Sequence, residues 1–161
     1  MKLTKTERLM LANQYEILAE LTDDDSYKEA YNRNQVILRD AYEGEYHHLV
    51  GYMADEVMSK EWCAKIHKIL FMHSNIKYAN PDYVFPGFDG NNEGDEYAYT
   101  DFLITNQCYT RLKSEQGYNS HRPMLERYER MLEVHDGLSP QECKLLSKEN
   151  IDKILQAGEK A

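Results

Sequence analysis

Apolar residues recur three and four positions apart along most of this chain, and no convincing alternating run of β-branched residues interrupts them. On a helix predicted over 5–21, Met10, Leu11, Ile17, Leu18 and Leu21 fall on one apolar arc, with Gln14 near its middle. There the Gln14 amide is expected to be buried and bonded to the backbone of a neighbouring segment. Further helices are predicted over about 27–43, 46–58, 60–80, 93–113 and 123–135, and two short turns close the chain. The punctuation fits: Thr4 with Glu7, Ser26 with Glu29 and Ser139 with Glu142 each match a capping box, Pro140 suits a first helical position, and Gly44 offers a C-terminal cap. In the fourth helix His73 lies among Trp62, Ile66, Ile69, Leu70 and Ile76, where it reads as a satisfied core histidine. The fifth carries apolar residues on several sides and should be central, and the sixth buries Met124, Leu125, Tyr128, Met131, Leu132 and His135.

One segment is turn-rich. Residues 80–94 hold Pro81, Pro86, Gly87, Gly90, Asn91, Asn92 and Gly94, together with Tyr83, Phe85 and Phe88. So many aromatics in so short a stretch argue for a packed loop rather than a linker, and it is expected to lie against the first helix. The pattern predicts an all-α protein: a single compact domain over 1–161, with about six helices plus short C-terminal turns.

Composition narrows the function classes. At 161 residues, with 42% hydrophobic and 29% charged positions, the chain is long enough for one domain with a real core. A net charge of −9 weighs against broad phosphate-tracking grooves, without excluding a local basic patch. The apolar run at residues 9–12 is too short for a signal peptide, and no stretch approaches a bilayer's thickness. Cys63, Cys108 and Cys143 are odd in number and widely spaced, which suits reduced thiols. A soluble, cytoplasmic protein with no membrane contact is expected. Thirteen tyrosines against four phenylalanines lean towards self-association or a protein partner.

Motifs scattered in order along the chain resemble the YfbU family. They are Arg8-Leu9, Leu11 and Asn13-Gln14-Tyr15; then Phe85, Gly87-Phe88-Asp89, Glu93 and Tyr97; then Arg111, Pro123-Met124, Tyr128 and Arg130-Met131-Leu132; and finally Leu146-Ser147, Ile151 and Ile154. Residues 23–77 match the family in helical spacing more than in residues. The resemblance implies a small, predominantly helical, cytosolic bacterial protein, and it implies no reaction and no catalytic residues.

Several constellations bear on chemistry. Asp89, Asn91, Glu93 and Gly94 imitate the first half of a calcium loop, but Thr100 stands where a bidentate glutamate is needed, so the reading is a cap for the fifth helix. Cys63 and His67 share a helical face but make only two ligands, while His47 and His48 as neighbours on a helix should point apart. No metal or other cofactor is assigned. The sequence holds no nucleophile elbow, phosphate loop or dinucleotide fingerprint. Arg111, Lys113, His121, Arg122, Arg127 and Arg130 could converge as a basic patch beside Tyr118 and Tyr128, with Arg111, Arg127 and Arg130 as its candidate contacts, although surface pairing with Glu115, Glu126 and Glu129 is the plainer reading. Asn13, Gln14 and Tyr15 could meet Phe88 and Asp89 in a cleft or in a structural latch. These eight residues are the candidate contacts for a ligand or partner. The function expected is that of a non-catalytic interaction or regulatory protein forming a homo-oligomer. The alternatives are a nucleic-acid or nucleotide binder and a metal-dependent hydrolase.

Overall fold

Thr4 and Glu7 begin the first helix with a reciprocal cap: Thr4 Oγ1 accepts from the Glu7 N–H at 3.3 Å, and Glu7 Oε2 accepts from the Thr4 N–H at 2.7 Å. The helix they open, α1, spans Lys5–Leu21. Asp24 caps α2 (Asp25–Arg39) by accepting from the Ser26 and Tyr27 N–H groups, so the box expected at Ser26 and Glu29 is replaced by a cap two residues earlier. The computed structural model describes residues 1–51, 53 and 56–159. Those residues are all-α, with no strand and only an isolated bridge between Phe88 and Asn119.

The chain divides into two compact units, Met1–Val57 and Met58–Ala161. In the first, α1 and α2 form a helical hairpin. Ala12 and Ala19, seven residues apart, are both buried, and small residues there let the two helices approach closely. Arg8 donates to the Leu38 carbonyl at 3.0 Å, satisfying an acceptor left orphaned at the C-terminal end of α2. α2 stops short of its expected end because Ala41 adopts a left-handed φ of 60°. Where a third helix was predicted, a 3-10 segment runs over Glu43–Leu49 and Gly44 lies within it; residues 52, 54 and 55 of that prediction fall outside the described residues.

The second unit holds the larger core. Ser59 caps α3 (Lys60–Ala79), which contributes Ile66, Ile69, Leu70, Met72 and Ile76, all fully buried. α4 (Gly94–Thr105) is shorter than expected, since Gln107 and Tyr109 take positive φ and turn the chain into a 3-10 segment over Thr110–Leu112. α5 (Leu125–Asp136) buries Tyr128, Met131, Leu132 and His135, the face expected. Ser139, Glu142 and Pro140 start the short α6 (Pro140–Lys144) as predicted. The second of the expected closing turns is a full helix, α7 (Lys148–Glu159), which buries Ile151 and Ile154 and packs on α5.

His73 sits at the centre of this core. Its Nδ1 shares a 2.6 Å hydrogen bond with the Tyr83 hydroxyl, and its ring lies 4.7 Å from Phe85 and 4.6 Å from Tyr128. Burial, aided by Arg127 and His135, pushes its pKa from 6.5 down to about 3. The folded state therefore keeps the imidazole neutral where the unfolded chain protonates it. Stability from this group is intact above pH 6.5 and is lost progressively as pH falls towards 3. Denaturant titrations should lose about 2 kcal/mol from this source between pH 7 and pH 5. In His73→Gln that portion of the slope should vanish, and an unchanged slope would remove His73 as its origin.

Candidate functional site

Four of the five residues in the arc of α1 expected to face inwards face outwards, while Leu11 is half-buried. Met10, Ile17 and Leu21 are 59%, 59% and 76% exposed, with Leu9 and Leu18 also open. The side turned to α2 is built instead from Ala12 and Ala19, flanked by Arg8 and Tyr15, whose polar ends find carbonyl acceptors at Leu38 and Leu49. Gln14, in the middle of the arc, is consequently exposed rather than buried, as is Asn13. Met10, Ile17, Leu18 and Leu21 lie within about 100° of one another around the helix, whereas Leu9, nine residues from Leu18, stands on the opposite side.

Behind Tyr15 the same unit carries a half-open cavity of about 440 Å³. Tyr15, Tyr27 and Tyr31 wall it, with the Tyr31 ring 5.9 Å from Tyr15 and 6.3 Å from Tyr27. Asn34, His47 and His48 line it as well. Asn34 is 6% exposed, and its Oδ1 has no hydrogen-bond partner among the described residues.

The other sequence-derived candidates belong to the second unit and are engaged there. Phe88 is fully buried, edge-on to Tyr128 at 5.3 Å, and exchanges backbone hydrogen bonds with Tyr118 and Ser120. The aromatic loop thus spends Phe85 and Phe88 on the core formed with α3 and α5. Asp89 accepts from the Asn92 side chain at 2.6 Å and the Asn91 N–H at 3.0 Å, bonds that hold its carboxyl below the usual carboxylate range. Its oxygens close the loop before α4, but neither Asp89 nor Asn91 caps that helix. Glu93 stands at its N-cap position without a side-chain bond to it. Instead Glu93 Oε1 accepts from the Met124 and Leu125 N–H groups and caps α5, a role that sequence spacing gave no means of seeing.

The three arginines divide. Arg111 lies over the Tyr78 ring at 4.9 Å. Arg130 donates to the Ala157 and Gly158 carbonyls at 3.3 Å each, and Arg127 pairs with Glu159 at 3.8 Å. The last two neutralise the negative end of α7. Of the acidic partners expected for them, Glu129 pairs with Lys65 at 2.6 Å instead. Cys63 and His67 do not form a metal pair: both ring nitrogens of His67 are taken by tyrosine hydroxyls, Tyr109 at 2.9 Å and Tyr99 at 3.2 Å.

A family model for the YfbU domain matches residues 1–157 and so runs across both units. The chain belongs to the YfbU family. Its similarity to the UPF0304 protein MJECS11 of Methanocaldococcus jannaschii is 33% identity over 172 residues, covering 96% of this chain and 99% of that protein. The relative comes from an archaeon. No described helix is long and apolar enough to cross a membrane.

Proposed function

We propose that this YfbU protein is a non-catalytic interaction protein of the cytoplasm that self-associates through the outer face of α1. The exposed strip of Met10, Ile17, Leu18 and Leu21 carries the reading. These four side chains present on the order of 400 Å² of apolar surface, within the range of the largest patches that monomers leave open. Two such strips face to face supply about 800 Å² of apolar contact, and the polar residues beside them bring the buried area to about the 1,000 Å² of a specific interface.

Charge favours a second copy over an unrelated partner. Lys2 and Lys5 stand before and at the start of α1, while Glu20 and Asp23 stand at and beyond its end, and none of the four is ion-paired among the described residues. A twofold axis across the helix runs α1 antiparallel to its copy and sets each basic end on an acidic one. That arrangement is self-complementary, as an isologous dimer requires. Cys63, Cys108 and Cys143 are free thiols, which suits a reducing compartment.

Analytical ultracentrifugation over a concentration series tests the proposal. The wild-type chain should sediment as a dimer at micromolar concentration. Met10→Lys with Ile17→Lys should raise the dissociation constant at least about 100-fold, with the circular dichroism of the hairpin unchanged because both side chains are exposed. A wild-type protein that stays monomeric at the highest concentration ends the proposal.

A further inference from the structure

We propose that Glu45, His47 and His48 bind a divalent transition-metal ion of the zinc class at the rim of the tyrosine-walled cavity. One ligand atom from each of the three residues lies within 4.8 Å of the other two, and all three are exposed. Two imidazoles and one carboxylate are a donor set found in zinc sites that keep a coordination position open. The set is independent of the α1 face and of self-association.

Geometry supports the assignment at two points. His48 Nε2 and Glu45 Oε2 are already 3.3 Å apart. That is about the edge of a tetrahedron whose metal–ligand bonds are ~2.0–2.1 Å, so closing the site requires only the remaining imidazole to swing inwards. His47 Nδ1 lies 3.1 Å from the Gly44 carbonyl. A carbonyl can only accept, so the proton sits on Nδ1 and the Nε2 lone pair is left free, the usual state of a ligating histidine oriented by a second hydrogen bond. The 3-10 winding of Glu43–Leu49 sets Glu45 and His48, three residues apart, on one side of the segment, and the His47 and His48 imidazole centroids lie 3.9 Å apart although neighbours on a helix were expected to diverge.

The cavity supplies a third, independent observation. His47 and His48 belong both to the cluster and to the cavity wall. Three protein ligands leave a tetrahedral ion one position for water or another donor. The 440 Å³ space beside the two histidines is where such a donor would sit. In the same wall the buried Asn34 Oδ1 lacks a donor, a polar atom that a metal-bound water or ligand N–H could satisfy.

The test uses the full-length, metal-stripped protein titrated with zinc by calorimetry and with cobalt by visible absorption. One zinc per chain is expected, together with cobalt d–d bands of a four- or five-coordinate site lacking thiolate charge transfer. His48→Ala, and the near-isosteric Glu45→Gln, should each weaken binding at least tenfold with unchanged circular dichroism. Absence of binding overturns the proposal. So does zinc affinity indifferent to both variants, or a cobalt spectrum dominated by thiolate, which would move the ion to Cys63, Cys108 or Cys143.

Discussion

Gly87→Ala should destabilise the protein by at least about 4 kcal/mol, beyond the range of ordinary point mutations. Gly87 has φ +84°, a conformation that disfavours any side chain. Space is the harder constraint, because a Cβ built there would lie 1.8 Å from the Tyr118 carbonyl oxygen and 2.2 Å from its carbon. Neither neighbour is a flexible side-chain end that could swing away. Tyr118 is held by its carbonyl, which accepts from the Phe88 N–H at 2.9 Å, and the Gly87 carbonyl in turn accepts from the buried Tyr128 hydroxyl at 2.7 Å. Relieving the clash means parting the two chain segments and withdrawing Phe88 from the core. Thermal unfolding should show a midpoint lower by roughly 10 °C or more for a chain of this size. Gly94→Ala is the matched control: nothing lies within 4 Å of its Cβ position, and it opens α4, so its effect should be neutral or slightly stabilising. A Gly87→Ala protein within 1 kcal/mol of wild type would show that the loop is not held as described.

The two units differ in how far their structure could be read from sequence. In the second, the periodic faces of α3 and α5 were also the buried faces, because each helix has partners on that side within the unit. Periodicity also defined α1 to its terminal residues, yet the face it marked as core is the exposed one. An apolar arc read from spacing alone does not say which face of the helix the rest of the chain will cover. The alanines that seat α1 on α2 contribute so little hydrophobicity that the arc across the helix outweighs them. Helix ends at Arg39 and Thr105 were missed for a local reason: the turns that follow use left-handed Ala41, Gln107 and Tyr109, and none of these residues signals positive φ. α7 could have been found. Ser147 accepts from the Asn150 N–H as a cap, and Ile151, Ile154 and Leu155 repeat at helical spacing. The histidine pair was dismissed because neighbours on a helix point apart, and it is the side-chain conformations rather than the winding that bring the two rings to 3.9 Å.

Glu93 carries the second large effect, because one carboxylate closes three backbone positions at once. Its Oε1 accepts from the Met124 N–H at 2.7 Å and the Leu125 N–H at 2.6 Å, and its Oε2 accepts from the Asp89 N–H at 2.9 Å. The residue is 6% exposed, so water cannot readily take over these donors. Met124 and Leu125 lie at the positive end of α5, where a negative charge is favoured, and Met124 itself supplies no side-chain cap. Glu93→Ala leaves all three donors unpaired and should cost about 3–5 kcal/mol. Glu93→Gln separates hydrogen bonding from charge. Its amide oxygen can still accept from Met124 and Leu125, but the amide nitrogen then faces the Asp89 N–H, donor against donor. An intermediate loss of about 1–3 kcal/mol is expected for it. Hydrogen exchange should locate the damage, with protection falling first at Asp89, Met124 and Leu125 in both variants. Equal losses for Ala and Gln would assign the effect to the charge and the Asp89 bond, which both variants remove, rather than to the Met124 and Leu125 bonds that Gln keeps. A loss below 1 kcal/mol in Glu93→Ala would mean that the α5 cap is dispensable.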